Sequence, residues 1–514
     1  MKKLIILFFV LIDTINISAQ VPQIVWQHSL GGSNNDEAYS IIQTSDGGYI
    51  VSGYTNSNDS DVTGNHGYTD YWVVKLNSSG TIDWQKTLGG TNSDYAMSII
   101  QTYDGGYAVA GYSESNNGDV TGNHGYFDYW VVKMNAAGTI EWQKSLGGTS
   151  NDHALAIVQS SDSGYFVAGY TESNDGDVTG NHGWADYWVV KLNASGTMEW
   201  QHALGGTGSD YAFSIIKTVD SGCLVTGWTD SNDGDVTGFQ GVYDYWVVKL
   251  DPYGTIQWKR TLGGSSYDQS RSVIPTSDGG YMIAGYSSSN DGDVSGNHGN
   301  HDYWLVKLNV SGVMEWQKSL GGTFDDDAFS IIQTSDSGFV VAGASESNDG
   351  DVTGHHDNKD YWVVKIDVSG NNIVWQKSLG GSGFDYGYSI VEATDNGFVV
   401  AGGSPSTNGD VTGNLGVSDY WIVKLGVATG IENLSNSNKI DIFPNPSTGN
   451  FSINGNSEYE NSQLNVFNAM GCNVYSCRLT QETKVIDAED FPSGVYYLQI
   501  IKGEKIWAEK IIKQ

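Results

Sequence analysis

Asp128-Tyr129-Trp130-Val131-Val132-Lys133-Met134-Asn135-Ala136-Ala137-Gly138-Thr139-Ile140-Glu141-Trp142-Gln143-Lys144-Ser145-Leu146-Gly147-Gly148 reads as two strands joined by a turn. Successive side chains of a strand point to opposite sides, so Tyr129-Trp130-Val131-Val132 is apolar on both faces. A strand of that kind has to be covered on both sides. Asn135 to Gly138 reverses the chain, and Thr139 to Leu146 is the outer strand. Upstream, Ser98 to Thr102 and Tyr107 to Tyr112 read as two more strands. They are joined at Asp104-Gly105-Gly106, where glycine tolerates the positive φ of a tight hairpin. A long loop, Ser113 to Phe127, separates the second strand from the third. One unit therefore has four strands, A to D.

The unit recurs. Trp26, Trp84, Trp142, Trp200, Trp258, Trp316 and Trp375 follow one another at 58 residues, the last interval being 59. Trp72, Trp130, Trp188, Trp246, Trp304, Trp362 and Trp421 form a parallel series in Asp-Tyr-Trp. Sheets that bury both faces, repeated at this period, predict blades stacked around an axis. A parallel β-helix is the alternative, though it does not need four strands per turn. The ends set the number of blades. A D strand, Val25 to Leu30, comes first without A to C before it, and Asp419 to Lys424 ends the last unit without a D strand. Pairing these two segments gives a seven-bladed β-propeller closed by its N-terminal strand and removes the open edge. Over about residues 22–427 the repeat resembles the bacterial secreted β-propeller repeat family. The Gly138-x-x-x-Trp142 spacing is similar to the Trp-docking motif of quinoprotein-type propellers, which implies that each Trp seals one blade on the next.

The chain outside the repeats reads differently. Residues 1–20 have a Lys2-Lys3 start, an apolar Leu4 to Ile12 stretch and a small residue at Ala19, the pattern of a cleaved signal peptide. No later stretch is long and apolar enough to span a membrane. The propeller is expected over 21–427, a linker over 428–438 and a small β-sandwich over 439–514. Three motifs mark the last module: Phe443-Pro444-Asn445-Pro446-Ser447-Thr448-Gly449, Phe491-Pro492-Ser493-Gly494-Val495-Tyr496-Tyr497, and the lysine at 513. They are similar to the type A sorting domain of type IX secretion. The resemblance implies recognition by that machinery, passage across the outer membrane, removal of the domain, and then release or attachment to surface lipopolysaccharide.

The formal charge is −34, nearly all of it in the repeats, which excludes nucleic acid as a partner because phosphate needs a basic face. Three cysteines, Cys223, Cys472 and Cys477, do not make a disulfide framework. Seven acidic, glycine-rich B–C loops such as Asn174-Asp175-Gly176-Asp177 crowd one face. Their Asp-x-Asp pattern makes calcium a candidate ligand at Asp59, Asp61, Asp119, Asp175, Asp177, Asp233, Asp235, Asp291, Asp293, Asp349, Asp351 and Asp410. The competing reading is an Asx-turn network that satisfies loop backbone, since no full Asp-x-Asp-x-Asp-Gly run or closing Glu is present. His66, His124, His182, His298 and His356, replaced by Gln240 and Leu415 in the other blades, read as structural, as do the Asp70 and Asp36 series.

No catalytic residue emerges. Nucleophile elbow, His-Glu-x-x-His and phosphate loop are lacking, and near-identical blades do not offer an acid and a base in distinct environments. Trp184 and Trp228 break the repeat in adjacent blades and are the candidate binding residues, as platforms for a sugar ring or a protein. The expectation is a secreted or surface-displayed propeller that binds a glycan or protein through its acidic B–C loop face. The alternatives are an extracellular polysaccharide hydrolase or lyase, and a purely structural adhesin spacer.

Overall fold

A computed structural model describes residues 21–426, 441–454, 461–468, 473–479, 483–489, 491–502 and 505–514. The expected signal peptide, the linker and Cys472 lie outside the described residues. The chain divides into two compact units, 1–427 and 428–514.

The first unit is seven four-stranded antiparallel sheets. Blade 1 is Asp36–Gln43, Tyr49–Thr55, Asp70–Leu76 and Ile82–Leu88, and blade 2 is Asp94–Gln101, Tyr107–Ser113, Asp128–Met134 and Ile140–Leu146. Blades 3 to 6 repeat this plan through Ile373–Leu379. Blade 7 combines Tyr386–Glu392, Phe398–Ser404 and Asp419–Gly426 with the N-terminal strand Gln23–Leu30, in register Gln27 opposite Val423 and Leu30 opposite Tyr420. Every C strand is buried along most or all of its length. Its alternate residues serve two different cores: Tyr71 and Val73 pack toward blade 2, while Trp72 and Val74 pack toward blade 7.

One hydrogen bond runs around the whole ring. The Tyr71 hydroxyl donates to the Trp130 carbonyl (2.9 Å), and the same bond passes from each blade to the next until Tyr420 donates to the Trp72 carbonyl (2.9 Å). Each such tyrosine ring also packs on the next blade's tryptophan, as Tyr71 does on Trp130 at 4.5 Å. The other tryptophan series closes the gaps farther out. A Cβ on Gly138 would lie 2.9 Å from the Trp84 ring, so only glycine lets the turn of blade 2 seat on blade 1.

Strand A differs from the expected Ser98 to Thr102. It starts four residues earlier, at Asp94, and carries a β-bulge in every blade. In blade 1, Ala38 pairs with Gly53 and Ser40 with Ser52, which leaves Tyr39 out of the ladder. The bulged residue is Tyr39, Met97, Leu155, Phe213, Arg271, Phe329 and Tyr388 in turn. Bulges re-aim side chains. These belong to the innermost strands, which meet one another around the axis.

The second unit has seven strands among the described residues, in sheets of three (Asp441–Phe443, Phe451–Asn454, Thr483–Ile486) and four (Asn473–Arg478, Gln463–Asn468, Gly494–Lys502, Lys505–Lys513). Phe451, Ile453 and Ile486 of one sheet share a core with Leu464, Val466 and Leu498 of the other. The Phe-Pro-Asn-Pro motif is tied to the C-terminal strand. Asn445 donates to the Lys510 carbonyl (2.7 Å) and accepts from the Ile512 N–H (2.9 Å), and the Lys513 ammonium donates to the Thr448 carbonyl (2.6 Å).

Candidate functional site

The B–C loops and the short D–A connections meet on one face. Asp36 is the hub of blade 1. It accepts from the Gly32 N–H (2.8 Å), from the Ser57 hydroxyl (2.9 Å) and from the Thr55 hydroxyl. Gly31 is squeezed between two carboxylates: a Cβ there would lie 2.5 Å from Asp419 Oδ1 and 2.6 Å from Asp36 Oδ2. Each step of the ring thus encloses a buried pair of carboxyls, one from each blade. Burial pushes Asp94 and Asp152 up to about 6, against the pull of hydroxyl and N–H donors, and pushes Asp210 and Asp326 up to about 7. Asp244 and Asp419, the strand-C members in blades without histidine, are raised by burial to about 7.

The Asp-x-Asp carboxylates face backbone donors. Asp59 accepts from the Ser33 N–H (2.8 Å), and Asp175, Asp233, Asp291 and Asp349 do the same to the matching residue of their blades at 2.7–2.8 Å. Asp61, Asp119, Asp177, Asp293, Asp351 and Asp410 accept from the first glycine N–H of Leu-Gly-Gly at 3.3–3.4 Å. At Asp235 the link is its own N–H donating to the Gly205 carbonyl (2.7 Å). These bonds satisfy loop backbone, but across 26 to 30 residues of chain and not within local Asx-turns. Among the described residues, no three His, Cys, Asp or Glu side chains converge in a way that would hold a metal ion.

The histidines are latches. His66 Nδ1 and N–H both engage Asp70 Oδ2, at 2.6 and 2.8 Å. The far nitrogen of His124 stands 4.0 Å from Asp177 in the next blade. Blade 4 substitutes for this: the Gln240 N–H donates to Asp244 (2.8 Å) and its side-chain amide to Asp293 (3.3 Å). In blade 7 only the Leu415 N–H remains, 2.5 Å from Asp419.

Above this lattice stand residues that differ from blade to blade. Directly before the Thr69 and Phe127 positions, blades 1 to 3 expose Tyr68 (75%), Tyr126 (65%) and Trp184 (81%). Trp184 lines two shallow clefts that also share Thr207 and Ser209. One, of 520 Å³, is lined with Thr207, Ser209, Asp230 and Asp233; the other, of 550 Å³, with Ser150, Glu172, Ser209 and Tyr211. Trp228 is half-buried in its strand, stacked on Tyr211 at 4.5 Å and against Tyr243 at 4.3 Å, and Tyr211 in turn lines one of the Trp184 clefts.

The axial mouth was not visible in the sequence reading. Its second strand-A position is Glu37, Tyr95, His153, Tyr211, Gln269, Asp327 and Tyr386, and no two adjacent blades share a residue there. His153 stacks on Tyr112 at 4.0 Å, accepts or donates at Tyr170 (2.6 Å), and is pushed down to about 4 by burial. Lys359 pairs with Asp327 at 2.7 Å, and His301 bonds the other oxygen of Asp327 at 3.2 Å. Against the effect of burial, His301 and Lys359 hold Asp327 below the usual carboxylate range.

Residues 441–514 match the secretion system C-terminal sorting domain family. The chain thus carries a type IX sorting domain and is exported, to the cell surface or the surroundings. A regulatory protein, FlaEY, of Caulobacter vibrioides is 23% identical over 384 residues, 66% of this chain; the match spans 39% of that protein's length. Similar solved structures include the WD40 domain of Neurospora crassa Pan2 (9% identity, 79% of this chain and 96% of that one, TM-score 0.43). PorZ, a surface component of the type IX secretion system of Porphyromonas gingivalis, is another (10%, 91% and 69%, TM-score 0.34). Among the described residues no helix is long and apolar enough to cross a membrane.

Proposed function

We propose that this exported propeller binds a glycan on its B–C loop face, with Trp184 as the platform. The observation that carries the reading is a pair of clefts that share one exposed indole. A sugar ring has an apolar face that stacks on an aromatic ring and an equatorial fringe of hydroxyls that needs hydrogen-bond partners. Ser209 offers a hydroxyl as donor and acceptor, and Thr207, whose hydroxyl donates to Asp233 (2.9 Å), offers an acceptor together with Glu172, Asp230 and Asp233. The carboxylates and the overall charge of −34 favour neutral or basic saccharides over sulfated or uronic ones. Tyr126 and Tyr68 hold the same position on the two preceding blades, which suits a chain of sugars more than a single one.

The test is a glycan array probed with the propeller and with Trp184→Ala. The expected result is retention of neutral glycans by the wild type and a loss of at least about tenfold in the variant, with an unchanged circular dichroism spectrum. Equal retention of the same glycans by both proteins would remove Trp184 from the reading. Release of reducing ends from bound glycans would move it to the hydrolase alternative.

A further inference from the structure

We propose that the axial mouth, where blade 7 meets blade 1, is a separate binding site for an organic cation, a primary or quaternary amine. Glu37 would be its counter-charge, and Tyr39, Tyr54, Tyr386 and Tyr388 its walls. The inference does not rest on the Trp184 reading, since it uses other residues in other blades.

Three observations carry it. First, there is a niche. At the sixth position of strand B, blades 1 to 5 carry an aromatic ring, Tyr54, Tyr112, Tyr170, Trp228 and Tyr286, and the first three pack on strand A of the next blade, at Tyr95, His153 and Tyr211. Blade 7 has Gly403 instead, and a Cβ there would lie 3.0 Å from the Cγ of Glu37. Glu37 leans into the space that a ring fills elsewhere. Second, the rings form a cage. Tyr39 lies 5.9 Å from Tyr54 and 5.0 Å from Tyr388, and Tyr388 lies 5.8 Å from Tyr386 with the planes 6° apart. All four rings and Glu37 are partly accessible. Aromatic faces attract ammonium groups, most of all beside a carboxylate. Third, Glu37 has no cationic partner among the described residues. Its carboxylate meets the hydroxyls of Tyr39 (3.3 Å) and Tyr54.

The cations of the mouth are committed elsewhere. Lys359 is bound to Asp327 and stands 3.9 Å from Glu346. Arg271, on blade 5 across the ring, lies over Phe213 at 4.0 Å and donates to Gln269 and to the Tyr286 hydroxyl, both at 3.2 Å. Burial raises the Glu37 carboxyl above its ordinary value while the Tyr39 and Tyr54 hydroxyls pull it down. An arriving amine would relieve that cost of burial.

The experiment is calorimetric titration of the full chain with choline and with glucosamine, beside their uncharged counterparts 3,3-dimethylbutanol and glucose. Saturable binding of at least one amine is expected, weaker by about tenfold or more for its neutral counterpart and for Glu37→Gln, and unchanged in Trp184→Ala. Should Glu37→Gln fail to fold, Gly403→Val fills the niche from blade 7 and is expected to cause the same loss. No saturable heat with either amine, or binding by the folded niche variant equal to that of the wild type, would overturn the proposal. A null result at Trp184 with amine binding intact would sink only the glycan reading.

Discussion

On one face of this propeller two sets of side chains lie a few residues apart in every repeat and behave in opposite ways. Asp36, Asp70 and their counterparts recur in all seven blades and are fully buried; each accepts from a loop N–H through Oδ2, while Oδ1 of the Asp70 series has no hydrogen-bond partner among the described residues. Glu37, one residue from Asp36, is replaced in each of the blades that follow and is partly accessible. The residue before each Asp-Tyr-Trp also varies: Thr69, Phe127, Ala185, Tyr243, His301, Lys359 and Ser418. A sevenfold residue meets a sevenfold environment and can only build the ring. A residue that occurs once breaks the symmetry, and recognition of an unsymmetrical ligand requires that. The lattice is therefore the scaffold, and the variable columns, at the mouth and around Trp184, are where specificity resides.

The contrast is broken or sharpened most strongly by tryptophan truncation. Trp130 is fully buried, its ring packs against Tyr71 at 4.5 Å and its indole N–H donates to Gln143 (2.9 Å), so Trp130→Ala is expected to cost about 3–5 kcal/mol or to prevent folding. Trp184→Ala should change stability by less than about 0.5 kcal/mol. Chemical denaturation of both variants measures the difference, and similar losses would erase the distinction between scaffold and reader.

The pH profile comes next in size. A carboxyl whose pKa is higher in the folded chain binds its proton more tightly there, so its contribution to stability is absent above the folded value and grows as pH falls. For Asp94 and Asp152 at about 6, and Asp210, Asp244, Asp326 and Asp419 at about 7, that growth runs from pH 7 down toward the ordinary 3.8. Asp46 and Asp278 act in the opposite sense. The Thr44 hydroxyl, with the Gly48 N–H and Lys75, holds Asp46 at about 2 against burial, and the Thr276 hydroxyl, with Lys307 and the Gly280 N–H, holds Asp278 at about 2. Their contribution is present above 3.8 and lost below it. Thermal melts are expected to peak at about pH 4–5 and to decline toward pH 8. A melting temperature that rises from pH 5 to 8 would show that the buried pairs are ionised at no cost.

Removing a latch should do less. His124→Ala leaves Asp128 with the backbone N–H alone, the state that blade 7 already has at Leu415, so a loss of about 1 kcal/mol is expected on denaturation. Calcium is expected to do least. Because the Asp-x-Asp oxygens face N–H donors, millimolar calcium should leave the melting temperature unchanged, and a clear rise would return those loops to the list of ligand sites.

The scaffold was legible because it repeats. Fourteen tryptophans at fixed spacing disclosed the blades, and the unmatched strands at the two ends disclosed how blade 7 is made. Strand A was read too short for a physical reason. The bulge at Tyr39, Met97 and their counterparts interrupts the alternation, and the channel-facing residues beside it follow no hydropathy pattern. The mouth escaped for the same reason. Its members lie one per repeat, differ in chemistry, and become neighbours only when the ring closes. Comparing the repeats column by column, and asking where they disagree, is the signal that would have found Glu37, His301 and Lys359. Trp184 was visible as a break in the repeat, whereas the burial of Trp228 depends on Tyr211 and Tyr243, partners that spacing does not reveal.

The strand Gln23–Leu30 completes a blade whose other members lie at the far end of the ring, so that Gln27 meets Trp421 across 394 residues of chain. Six blades assemble from segments adjacent in sequence; the seventh must wait for its two remote parts, and joining distant segments is slow. Until it does, Asp419–Gly426 presents a bare sheet edge that would accept the same strand from a second molecule equally well. Anything that detains the N-terminal strand during maturation therefore opens a route to domain-swapped dimers.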